Sequence, residues 1–180
     1  AFRIRCDWQA IATGPGHAIQ LQSGRLVVPV WIATYVDQAS LRKASAVIFS
    51  DDRGVTWQAG DIAIPGGGEC QSAQVSDGKV LLSARNSDPQ NRRAVAYSSD
   101  GVTDWSETTF VPELLEPGCM AALVSHPGTA EVPGPVLLFA NPHTTDRPHS
   151  RRRNLTVQLS RDHGRSWPIK RLLQPGPSAY

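Results

Sequence analysis

One short pattern, Ser-x-Asp-x-Gly-x-Thr/Ser-Trp, recurs along this chain and limits what it can fold into more than any other feature. It is complete at residues 50–57 (Ser50, Asp52, Gly54, Thr56, Trp57) and at residues 160–167 (Ser160, Asp162, Gly164, Ser166, Trp167). A degenerate copy at residues 98–105 keeps Ser98, Asp100 and Trp105 in register and shifts the glycine one place, to Gly101. The chemistry is that of a hairpin turn. The aspartate accepts backbone N–H groups across the turn, the glycine takes a positive φ, and the tryptophan packs beneath and seals the turn against a sheet. Each copy follows a strand-like run: Val47-Ile48-Phe49, Val95-Ala96-Tyr97 or Val157-Gln158-Leu159. The copies start 48 and 62 residues apart, room for one small four-stranded sheet and its loops.

The rest of the chain agrees with many short strands. Runs at 25–31, 46–49, 79–83, 93–97, 136–139 and 155–159 are rich in β-branched or aromatic residues, and Ser23-Gly24, Asp77-Gly78 and Pro133-Gly134-Pro135 are turn formers placed before several of them. No stretch keeps helical periodicity over three turns, and the one helical candidate, 113–115, is too short to matter. The reading is all-β, built of antiparallel meanders. A net charge of +2 is too small to indicate a nucleic-acid partner, and no run of about 18 apolar residues predicts a membrane span. Cys6, Cys70 and Cys119 are widely spaced and form no CxxC, so no zinc site and no disulfide framework is expected. The five histidines share no spacing and read as loop residues.

The repeated box resembles the Asp-box of the sialidases, whose fold is a six-bladed β-propeller. The resemblance implies one partial propeller domain over residues 1–180, about three blades, with the Asp-boxes at 50–57, 98–105 and 160–167 serving structure alone. Asp52, Asp100 and Asp162 are then turn residues and not catalytic acids. Between the boxes, Thr13-Gly14-Pro15-Gly16, Gly68-Glu69-Cys70-Gln71, the run from Ser76 to Asn86, Arg152-Arg153-Asn154-Leu155-Thr156-Val157 and Pro175-Gly176-Pro177-Ser178-Ala179-Tyr180 look like family segments in the family's order. The closest likeness is to lysosomal-type and bacterial exo-sialidases, which implies an extracytoplasmic or lysosomal setting.

That family removes terminal α-linked sialic acid, and these residue types suit the task. The substrate's carboxylate on the anomeric carbon is held by arginine forks, which bind carboxylates bidentately and stay charged. By resemblance Arg85 and Arg152 are two of the family's three such arginines. In the triplet Arg151-Arg152-Arg153, a solvated basic run is the plain alternative, and the offset from Asn154-Leu155-Thr156 selects Arg152. A carboxylate nucleophile would meet repulsion from the substrate's own charge, which a neutral tyrosine avoids. A phenol with a pKa of about 10 needs a base. By resemblance Tyr180 is the nucleophile and Glu69 its base, in a retaining mechanism through a covalent intermediate. No metal and no cofactor is implied, and the partner is a sialylated glycan.

Two family elements have no counterpart: the N-terminal Phe-Arg-Ile-Pro segment that supplies the first arginine, and the loop with the acid/base aspartate. Phe2-Arg3-Ile4-Arg5 echoes the first but lies too near the Gly-Pro-Gly segment. The expectation is therefore a fragment, incomplete as a catalyst alone, whose remaining blades are supplied by another chain or absent. The alternative is a non-catalytic Asp-box propeller that binds glycan or protein, in which Glu69, Arg85, Arg152 and Tyr180 would not converge.

Overall fold

The computed structural model describes residues 2–3, 8–35 and 41–179. Tyr180, the expected nucleophile, lies outside the described residues. In chain order the strands are β1 (Phe2–Arg3), β2 (Ala10–Thr13), β3 (Ile19–Gln20), β4 (Leu26–Tyr35), β5 (Leu41–Ser50), β6 (Trp57–Pro65), β7 (Cys70–Gln74), β8 (Val80–Ala84), β9 (Arg92–Ser98), β10 (Thr109–Leu115), β11 (Ala122–His126), β12 (Val136–Pro142), β13 (Arg153–Ser160) and β14 (Ile169–Pro177). They form three sheets. The first runs β1-β6-β5-β4-β2 with β3 also on β4, the second β10-β9-β8-β7, and the third β11-β12-β13-β14. Apart from the parallel β1–β6 pair, every ladder is antiparallel between neighbouring strands.

This is the all-β, blade-by-blade architecture expected, and the six strand-like runs of the sequence fall in β4, β5, β8, β9, β12 and β13. The segment 113–115 ends a strand, β10. The sheets stack face to face through two cores. Val27, Val47 and Ile64 of the first sheet meet Val80, Leu82 and Ala96 of the second. On the second sheet's other face, Leu81, Val95 and Val111 meet Leu123, Leu137 and Phe139 of the third. β8 is buried on both faces, which is why Val80-Leu81-Leu82-Ser83-Ala84 does not alternate. β7 is the end strand of its sheet and packs against β3 and β4 on one side and β11 on the other.

The boxes do what their residues imply. Ser50 Oγ donates to Asp52 Oδ1 at 2.8 Å, Thr56 N–H to the same oxygen at 2.8 Å, and Thr56 Oγ1 to Oδ2 at 2.6 Å. Trp57 Nε1 then donates to Gly54 O at 3.0 Å. The last copy repeats this with Ser160, Ser166 and Trp167, and Trp167 Nε1 reaches Gly164 O at 3.1 Å. In the degenerate copy Thr103 follows Asp100 by three places and still supplies N–H and hydroxyl at 2.8 and 3.0 Å. Asp104, at φ +49°, takes up the residue that Gly101 displaces and returns Trp105 to register. The boxes are also tied across sheets. Arg25 binds Asp51 at 2.7 Å and Asp100 at 3.4 Å, and Ser76 and Asp77 engage His163 at 2.8 and 3.4 Å. His163 is thus a loop residue, as its sequence context suggests, that also ties two sheets together.

Candidate active site

Glu69 and Arg85 stand sixteen residues apart and meet because the β7–β8 ladder runs one step past its strands. Cys70 pairs with Ala84, after which Arg85 N–H donates to Glu69 O at 2.9 Å and Gly68 N–H to Arg85 O at 2.8 Å. Cross-strand partners put their side chains together, and Arg85 Nη1 holds Glu69 Oε2 at 2.7 Å. Both side chains keep contact with solvent, at 20% exposure for Glu69 and 30% for Arg85. They line an open cavity of about 200 Å³ with Trp31, Lys43, Gly66, Gly68, Asn86 and Ser87. Lys43 Nζ sits over the Trp31 ring, 5.6 Å from its centroid. Two cationic side chains against one carboxylate give the cavity a surplus positive charge suited to an anionic ligand. The next residue along the chain, Cys70, is buried, and the loss of water around it pushes its thiol pKa up to about 12.

Arg152 is placed differently. It follows a 3₁₀ turn over His149–Arg151, is 2% exposed, and is not among the residues lining the Glu69–Arg85 cavity. Its Nη2 donates to the carbonyl of Gly118. Its own carbonyl accepts Ser178 N–H at 3.0 Å, so the backbone two residues before Tyr180 is bound to Arg152. The structure therefore brings Glu69 to Arg85 and the 177–179 segment to Arg152. Gln71 and Cys119 are buried in the interior, where Gln71 bonds the backbone N–H and carbonyl of His17 at 3.1 and 3.0 Å.

Three charged residues around this region carried no signal in the sequence. Arg147 reaches Asn91 Oδ1, Asn86 O and the carbonyl of Asp88, tying the loop after Arg85 to the loop before Arg152. Arg93 and Glu116 form an ion pair at 2.7 Å with no exposure on either side chain. Among the described residues no cluster of His, Cys, Asp or Glu could hold a metal ion, and no helix is long and apolar enough to cross a membrane.

Comparison with known proteins agrees with this architecture. A sialidase of Micromonospora viridifaciens is 32% identical over 182 residues, covering 96% of this chain and 27% of that protein. Sialidase-3 of Mus musculus is 40% identical over 129 residues, covering 66% of this chain and 31% of that one. The structure of the Hadza microbial sialidase Hz136 superposes with a TM-score of 0.84 at 32% identity, over 98% of this chain and 33% of that chain. The chain thus spans between 27% and 33% of the length of these three relatives. Residues 3–180 match the family described as the BNR repeat-like domain, and the chain belongs to that family.

Proposed function

We propose that the protein carrying this chain is an exo-α-sialidase, a glycoside hydrolase that removes terminal α-linked sialic acid from glycans. The observation that carries the reading is the Glu69–Arg85 pair at the open, positively charged cavity, in a fold whose named relatives are sialidases. In this reading Arg85 and Arg152 hold the ligand's carboxylate and Tyr180 attacks the anomeric carbon. Glu69 takes the phenol proton, and a covalent tyrosyl-sialoside forms and is hydrolysed with retention. Arg85 Nη1 fixes the Glu69 carboxylate at the cavity wall through the 2.7 Å contact. The proton for the leaving group comes from a part of the protein other than these residues.

The test is phenol release from an aryl α-sialoside by the whole protein. Tyr180→Phe and Glu69→Gln are each expected to lower kcat by a factor of about 10² or more. Turnover that survives both substitutions would overturn the assignment. A glycan-binding propeller without catalysis is the second reading, favoured by the burial of Arg152. It predicts sialoside binding with no turnover in the parent protein.

A further inference from the structure

The buried pair Arg93–Glu116 touches nothing that reacts, yet its contacts run from the strand that leads into Arg85 to the turn that bonds Arg152. Arg93 Nε donates to Ser83 Oγ at 2.9 Å, and Ser83 lies on β8 two residues before Arg85. Arg93 Nη1 donates to Glu116 Oε2 at 2.7 Å and to Cys119 O at 2.9 Å, and its guanidinium lies 5.7 Å from the centroid of the Phe139 ring. The other oxygen of Glu116, Oε1, accepts the N–H groups of Gly118 at 2.7 Å and Cys119 at 3.0 Å. Gly118 sits at φ +69°, and its carbonyl takes the bond from Arg152 Nη2.

We infer that Arg93 and Glu116 are positioning residues for Arg152. Together they fix the 116–119 turn so that the Gly118 carbonyl sets the plane of the Arg152 guanidinium at a constant offset from Arg85. The inference rests on the assignment of Arg152 to carboxylate binding made above. A guanidinium recognises a carboxylate through a planar fork, so its value as a binding group depends on orientation as well as charge. Loss of water around both buried charges is a cost that apolar side chains of similar size avoid. An apolar pair would also leave the Gly118 and Cys119 N–H groups without an acceptor. The carboxylate of Glu116 does two things at once: one oxygen meets the cation on the strand side, and the other closes the turn. Arg93 likewise bonds both supports, Ser83 under Arg85 and Cys119 beside Gly118.

The test measures binding, by calorimetry with the whole protein, of an α-methyl sialoside as the free acid and as its methyl ester. A purely structural role lowers the folded fraction but leaves the acid-over-ester preference of the folded protein where it was. Arg152→Lys is the reference and is expected to cut that preference about tenfold, a step the loss of one charge-assisted hydrogen bond accounts for. Glu116→Gln and Arg93→Lys, the second serving if the first does not fold, are expected to cut it about three- to tenfold. If Arg152→Lys lowers the preference while folded Glu116→Gln and Arg93→Lys keep it, the positioning role is overturned. If Arg152→Lys itself leaves the preference unchanged, the carboxylate assignment falls and the positioning role with it.

Discussion

At Asp100, burial pushes the carboxyl pKa up, but the N–H groups of Thr103 and Val102 and the hydroxyls of Ser98 and Thr103 outweigh it and bring the value down to about 2. Asp52 is brought to about 2 by the Thr56 hydroxyl and N–H and the Ser50 hydroxyl. Both values lie below the 3.8 of an unconstrained aspartate, so the unfolded chain binds protons first as pH falls. The contribution of these turns is fully present above about pH 4 and is lost as pH drops towards about 2. Asp100→Asn should therefore flatten the acid limb of the stability curve, measured as Tm between pH 5 and 2. An unchanged limb would contradict the hydrogen-bonded role. These aspartates show why the residue type alone misleads: each carboxylate is occupied by its own turn. That much was legible in the sequence, since Ser, Asp, Gly and Thr act within a few residues of one another.

Among elements, the β13–β14 turn shows how a box joins neighbouring structures. Gly164, at φ +88°, would place a Cβ 2.8 Å from Leu81 of β8, so the turn of one sheet rests on the strand of the next. Trp167 is 1% exposed and packs edge-on to Phe139 with ring centroids 5.7 Å apart, whereas Trp57 of the first box is only partly buried. Trp167→Ala should cost about 3–5 kcal/mol, while Trp57→Ala should cost clearly less. Comparing the two Tm values checks this, and equal losses would contradict the inter-sheet role of Trp167. Strands of this kind were only partly legible. β8 and β12 announce themselves as apolar runs, but β7 reads Cys-Gln-Ser-Ala-Gln and is recognised as a strand only once sheets cover both its faces. β11 and β14 lack a clean alternation because most of their residues are exposed here, Val124, Ile169, Leu172 and Leu173 among them. The Arg93–Glu116 pair was not legible, since its partners lie 23 residues apart and each looks like an ordinary surface charge.

On the scale of the whole molecule, three stacked sheets carry two supports: the β7–β8 end bearing Glu69 and Arg85, and the segment of Arg152 that binds the backbone of Ser178. The order of these residues was legible by family likeness, but the burial of Arg152 and the bonds through the 116–119 turn were not, because they depend on contacts between sheets. The central claim is that Tyr180 is the nucleophile of a retaining sialidase site. Its most direct test is mass spectrometry of the whole protein quenched during reaction with a fluorinated sialosyl fluoride, whose intermediate hydrolyses slowly. A sialosyl adduct on the peptide containing Tyr180, absent in Tyr180→Phe, is the result expected. Turnover with Tyr180 unmodified, or an adduct on another residue, would contradict it.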